Sequence, residues 1–442
     1  MNKKLLLIFL LIFFSNCSLD TKSGLWDNNK TPEVEQKDLK KEVFKKTVVK
    51  KIEINEKIKI KTPLKFIKNN LNNKLTNNDG LFNYNNEIKK KSKYRFSRIK
   101  NFKEFDPETI VNGQDIIFFS SKGTILKFDK NFKIIWKKNY YSKTEKKIEP
   151  KLFFASNENV LIVADNIAKY YAIDINSGKL LWSKTNIISF NSEIKIFKDV
   201  FFVVDYDDTL RCYSLKDGKE LWNYQADKSL IKSSKKLSLV ISDNKVIFNS
   251  TSGDITAVNI NDGNLEWLAS TVNKSVRSRK LNLKMASLVA STKSILSSSN
   301  NAFYSIDIKT GVTNWEQNIN SSLRPTIIKA IQIPNSPNDF IFTITDDGFL
   351  VILDYLTGEI IRKNYLLNDI KKSKKNKIIP TGFIVGLDSI YLSTNKGKLL
   401  IANINNGKIK NLIKVDNNKI TRPFIITNNL YVIKDDAIVK LN

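Results

Sequence analysis

Short apolar runs recur along the chain from residue 116 onward, each cut by a polar turn. The runs at 116–119, 160–163, 201–204, 246–248, 340–344, 390–392 and 430–433 are built mainly from Val, Ile, Leu and Phe. Such runs read as buried strands. Turn residues follow at 121–123 (Ser-Lys-Gly), 166–168, 207–209, 251–253, 300–302, 346–348, 395–397 and 435–437. Each turn leads into another strand, so the pattern predicts a series of eight hairpins.

A second pattern follows each hairpin. Residues 172–182 read Ala-Ile-Asp-Ile-Asn-Ser-Gly-Lys-Leu-Leu-Trp: a strand, a tight turn and a second strand. Glycine supplies the positive φ of the turn without a Cβ clash. Asp174, Gly178 and Trp182 recur as Ser214, Gly218 and Trp222, as Asn259, Gly263 and Trp267, and as Asp307, Gly311 and Trp315. Asp354 and Gly358 keep the turn but are followed by Arg362, and Asn403 and Gly407 by Asn411. A shorter first copy runs from Asp129 to Trp136 and lacks the glycine. The anchors recur about every 40–50 residues, the period of a four-stranded propeller blade. Five of the six tryptophans fall at this one position, which assigns them to packing between blades rather than to ligand binding.

The eight hairpins come with only seven motif strands, because the chain ends at Asn442 before an eighth can form. A ring resolves the mismatch, since a propeller that borrows a strand from the other chain end leaves no blade edge unpaired. The expectation is an all-β, eight-bladed β-propeller of four-stranded antiparallel blades over residues 94–442. Its closing strand is expected at 94–99, Tyr-Arg-Phe-Ser-Arg-Ile, joining the C-terminal blade.

Composition narrows the chemistry. The chain has no histidine, which removes imidazole bases and imidazole metal ligands. Its formal net charge is +29, but the lysines are spread over every segment. An anionic partner and a lysine-rich default surface both fit that charge; the scatter favours the second, and no nucleic-acid partner is expected. The cysteines are Cys17 and Cys212. Cys212 lies in an apolar strand and reads as a buried, inert thiol.

The first 16 residues read as a signal peptide. Lys3 and Lys4 precede an apolar run at 5–14 that is too short to span a bilayer. The run ends in Phe-Ser-Asn-Cys, which resembles a bacterial lipoprotein box, with Cys17 as the acylated residue; Asn16 departs from the usual small residue. Ser18 in place of Asp implies, by the same resemblance, sorting to the outer membrane. Residues 17–93 are rich in Lys, Asn and Glu and poor in aromatics, and are expected to be a largely disordered basic tether.

Three inter-blade connections are longer and more basic than the rest. They are 226–236, with Leu230, Ile231 and Lys232; 271–287, with Arg277, Arg279 and Lys284; and 364–379, with Lys371, Lys372, Lys374 and Lys375. Long loops on a rigid ring are candidate recognition sites, or tolerated insertions.

The Asp-x-x-x-Gly-x-x-x-Trp unit resembles the quinoprotein-type propeller repeat. The layout of lipobox, tether, seven motif strands and closing hairpin is similar to the propeller lipoproteins of the outer-membrane β-barrel assembly machinery. That resemblance implies a periplasm-facing, lipid-anchored scaffold, monomeric within a hetero-oligomeric complex, that binds the central barrel-inserting subunit. The family's contact loop carries Ser-Leu-x-Leu-Arg after a motif strand; here Ser229-Leu230-Ile231-Lys232 matches in part. A second family contact uses Asp-x-Asp, where this chain has Leu283-Lys284-Met285. The contrasting implication is a pyrroloquinoline quinone dehydrogenase on the same fold. That chemistry needs clustered carboxylates around a divalent ion, and no loop shows such a cluster. The expectation is therefore no enzyme activity, cofactor or metal. A generic envelope-anchored propeller binding another protein or a glycan is the remaining alternative.

Overall fold

The computed structural model describes residues 71–442 except 101, 106, 228–234, 272–284, 300, 330–338, 368–369 and 371–377. Eight four-stranded antiparallel sheets form the propeller. Blades 1 to 7 span residues 110–138, 152–185, 195–225, 239–270, 289–317, 326–365 and 380–414, each with its strands in chain order from the channel outward. Blade 8 holds three strands within 424–441, and Lys91–Arg95 is its outermost strand. The expected count of eight and the borrowed closing strand both hold.

Burial explains the sequence pattern. The second strand of blade 3, Val200–Val204, is buried along nearly all its length because neighbouring blades cover both its faces. Such a strand reads as an unbroken apolar run. The outer strand Glu220–Gln225 alternates half-buried and exposed residues, since only one face meets a neighbour. The turn between the last two strands is held by the first residue of the motif. Asp174 Oδ1 accepts from the Ser177 backbone N–H at 2.7 Å, and the same oxygen of Asp307 accepts from the Thr310 N–H at 2.9 Å. An Asp or Asn there satisfies turn donors that no strand can reach.

The tryptophans join blade to blade. Trp136 Nε1 donates to the Ile175 carbonyl at 3.1 Å, and Trp182, Trp267 and Trp315 reach Leu215, Ile308 and Tyr355 in the same way. Each indole also lies flat against the motif glycine of the following blade. A Cβ built on Gly358 would come within 2.4 Å of Trp315, and one on Gly263 within 2.4 Å of Trp222. Gly178, Gly218 and Gly311 meet Trp136, Trp182 and Trp267 in the same relation. The glycine is thus demanded twice, by its positive φ and by the close approach. At the next seam no indole is present, and Gly407 faces the Asn364 side chain instead.

The closing strand differs in register from expectation. Lys91–Arg95 pairs with Ala437–Leu441, three residues upstream of the strand expected at 94–99. The aromatic alternation does not delimit the ladder, since Tyr94 pairs opposite Ile438 while Phe96 lies beyond the last pair. It marks side chains that turn onto blade 1, where Tyr94 stacks on Phe128 (5.2 Å) and Phe96 packs on Phe118 (5.3 Å). Beyond the strand, the Phe96 and Ile99 amides still donate to the Asp436 and Asp435 carbonyls, and Arg98 pairs with Asp435 at 3.1 Å.

The expected tether over 17–93 needs a larger correction at its end. Residues 71–93 are part of the folded ring. The helix Leu71–Thr76 lies against the first strands of blades 3 and 4. Asn77 is 2% exposed, and its amide donates to Glu193 and to the Leu239 and Leu288 carbonyls, at the entries to blades 3, 4 and 5. Asn78 pairs through its side-chain amide with the backbone of Ile327 in blade 6. Leu81 forms a parallel bridge with Val385 of blade 7, and Tyr84 packs edge-on against Tyr391. Asn86 then reaches Asn428 of blade 8, and Lys89 and Lys90 bond to the Asn442 carbonyl. Asn77 sits where first strands begin, and Tyr84 beside the turn at Leu387 where one ends. The segment therefore passes down the channel from the face carrying the inter-blade connections, here the upper face, to the lower one. It then turns outward and climbs as the closing strand. Composition misled because this segment buries polar groups on distant partners, with a few apolar contacts such as Tyr84 on Tyr391 beside them.

The seams give a direct test. Gly358→Ala combines left-handed strain of about 1–2 kcal/mol with overpacking of about 1–3 kcal/mol. Gly113→Ala carries the strain alone, since its φ is +61° and nothing lies within 4 Å of the added methyl. Urea denaturation should show Gly358→Ala losing clearly more stability than Gly113→Ala; equal losses would mean the indole contact does not constrain the seam.

Candidate functional site: the upper mouth of the channel

The first strands of the blades line a cavity of about 650 Å³ beside the channel segment. Its charged groups come from polar stretches just ahead of those strands, and from the segment itself. Arg324, ahead of blade 6, holds three carboxylates at once: Asp79 at 3.2 Å, Glu108 at 2.9 Å and Glu193 at 2.6 Å. Arg422, ahead of blade 8, bonds the other oxygen of Asp79 at 2.7 Å. Lys236, ahead of blade 4, pairs with Glu108 at 2.9 Å. Lys195 of blade 3 donates to Asn77 and to the Lys74 carbonyl, with Glu193 at 3.7 Å. Lys235 donates to the carbonyls of Met285 and Ser322, ahead of blades 5 and 6. One ionic network thus joins the channel segment to the entries of blades 1, 3, 4, 6 and 8.

Asp79 and Glu108 keep 38% and 42% side-chain exposure, and that surface faces the cavity they line. Burial opposes ionisation of both. Arg422 and Arg324 outweigh it at Asp79, whose carboxyl is held well below the usual carboxylate range. Lys236 and Arg324 outweigh it at Glu108, which is pulled down to about 2. Burial pushes the Lys195 ammonium down, against the pull of Glu193. A guanidinium facing two or three carboxylates stays charged and bonds several at once through its planar fork. Chemically, the arrangement clasps a carboxylate-bearing stretch of peptide.

Leu230, Ile231, Lys232, Arg277 and Arg279 lie outside the described residues, as does Cys17. The described ends of their connections, at Lys235 and Met285, meet on the upper face through the Lys235 bond. Cys212 is buried in blade 3, and burial pushes its thiol up to about 12. Asp416, Asp435 and Asp436 come together beside the closing strand, where Lys434 bonds Asp416 and Asp436. Sequence reading missed the channel network. A signal was present: Arg-Pro occurs at 324–325 and again at 422–423, each time just ahead of a first strand.

Comparison with known proteins supplies a family. Residues 121–364 match the family model described as outer membrane protein assembly factor BamB. BamB of Yersinia pestis is 22% identical over 257 residues, a match covering 54% of this chain and 60% of that protein. The match thus spans somewhat under two thirds of the relative's length. Among solved structures, BamB from Moraxella catarrhalis superposes with a TM-score of 0.60 at 16% identity, covering 79% of this chain and all of that one. A quinohemoprotein alcohol dehydrogenase from Pseudomonas putida HK5 gives 0.56 at 10% identity, covering 80% of this chain and 75% of that one. At these identities the superpositions speak for the fold.

The network sets an acid response. Glu108 has a folded pKa near 2 against an ordinary value of 4.5. The stability it contributes is therefore present above about pH 4.5 and lost as pH falls toward 2. Melting temperatures taken from pH 5 to pH 2 should fall less steeply in Glu108→Gln than in the parent; parallel curves would remove Glu108 from the acid response.

Proposed function

The chain belongs to the outer membrane protein assembly factor BamB family, and from that premise we propose that it is a non-enzymatic scaffold of outer-membrane β-barrel assembly. The family match over 121–364 carries the reading, because it runs through blades 1 to 6 rather than through one motif. In this reading Cys17 carries the lipid anchor, the protein sits on the periplasmic face of the outer membrane, and the central barrel-inserting subunit is the partner. Contact runs through the connection 226–236, with Leu230, Ile231 and Lys232, and through 271–287, with Arg277 and Arg279. Both connections open on the upper face, where the blades are joined.

The dehydrogenase reading is weaker on the chemistry of the channel. A quinone site of that kind needs carboxylates available to a divalent ion. Here Asp79, Glu108 and Glu193 converge on Arg324 instead.

Affinity capture of the full-length protein from detergent-solubilised envelope should bring down the barrel-assembly subunits. Lys232→Glu should reduce that capture several-fold with no change in melting temperature. Quinone-dependent dye reduction by the purified protein, or capture lacking the barrel-inserting subunit, would contradict the scaffold.

A further inference from the structure

The partner-facing connections and the channel segment meet at the same few residues. The connection 226–236 ends at Lys235 and Lys236, and both side chains turn inward. Lys236 reaches Glu108. Lys235 reaches Met285, where the connection 271–287 returns to the described structure, and Ser322 on the way into blade 6. The backbone carbonyl of Lys235 is itself held by the Asn191 amide at 3.1 Å. Directly beneath lie Asn77, bonded to Leu239 and Leu288 just past both connections, and Asp79, bonded to Arg324 and Arg422.

We infer that residues 75–86 are the positioning element of the interaction face, with Asp79 as its latch. The inference rests on the scaffold reading and deepens it. Asp79 spans two guanidinium groups that enter ahead of blades 6 and 8, on either side of blade 7, so it fixes the distance between their lead-in stretches. Asn77 does the same for the entries to blades 3, 4 and 5. These contacts hold the ends of the connections, while the strand ladders hold the blades. Loss of the latch should therefore disturb the interaction face more than the ring. The segment is poorly placed to be displaced by a competing peptide. Downstream it is continuous with the closing strand. The basic residues of the two connections suit an acidic protein surface, and the described ends of both are fixed before contact. Pre-ordering of this kind raises affinity by lowering the entropy lost on binding.

The test compares full-length parent, Asp79→Asn, Asp79→Glu and Asn77→Ala in capture of the detergent-solubilised assembly complex, with melting temperature measured alongside. Gly358→Ala serves as a control that weakens a seam without touching the channel. Asp79→Asn and Asn77→Ala should lower capture about five- to tenfold, and Asp79→Glu should restore most of it. The seam variant should keep its capture at a comparable loss of melting temperature. Full capture by both Asp79→Asn and Asn77→Ala, or an equal loss in Gly358→Ala, would overturn the inference. If the parent itself captures nothing, the scaffold reading fails, and trypsin still decides the positioning claim. Cleavage after Lys232, Arg277 and Arg279 should then be faster in Asp79→Asn than in the parent or Gly358→Ala; equal rates would overturn it.

Discussion

A single carboxylate, that of Asp79, ties Arg324 ahead of blade 6 to Arg422 ahead of blade 8, on either side of blade 7. The wider arrangement depends on it. A propeller closed only by strand pairing has one seam where the chain ends meet, and that seam depends on its own local contacts. Here the residues that lead to the closing strand first cross the channel and touch blades 3 to 8 in turn. The polar stretches ahead of the first strands are thereby drawn to a common centre. Desolvation works against every charge in that centre. The arrangement holds because each carboxylate meets a guanidinium or ammonium group and the amide of Asn77 meets backbone carbonyls.

The outer architecture was legible in the sequence because it is written in local, repeated terms. A glycine at positive φ, a capping Asp and an indole on the next strand recur at blade spacing. The glycine and the indole meet across the seam between adjacent blades, while the Asp caps its own turn. Sandwiched strands read as solid apolar runs and outer strands as alternation, as in Val200–Val204 and Glu220–Gln225. The closing strand was placed three residues late because Tyr94 and Phe96 signal side-chain packing on blade 1, whereas the ladder begins in the plainer Lys91-Ser92-Lys93 and ends at Arg95.

The channel segment was not legible, and the reason is physical. Asn77-Asn78-Asp79-Gly80 has the composition of a solvated turn. Its partners lie far along the chain: Asp79 and Arg422 are 343 residues apart, and Asn78 and Ile327 are 249 apart. No periodicity along the sequence can report a contact of that kind. Hydrophobicity also carries no information about residues 77–79, which are secured by hydrogen bonds and ion pairs. The two Arg-Pro dipeptides show where such information resides, in residues that break the repeat at equivalent places. The same logic applies to the scaffold role. The blades supply a rigid frame, and what distinguishes this chain lies in its connections and in the network that holds their ends.

The central claim is that the ring needs its threaded segment as well as its closing strand. Thermal unfolding of two truncated chains measures this most directly, one beginning at residue 71 and one at residue 88, both retaining Lys91–Arg95. The account predicts that the first melts like the full-length protein, while the second melts at a clearly lower temperature and over a broader transition. Coincident melting curves for the two chains would contradict it.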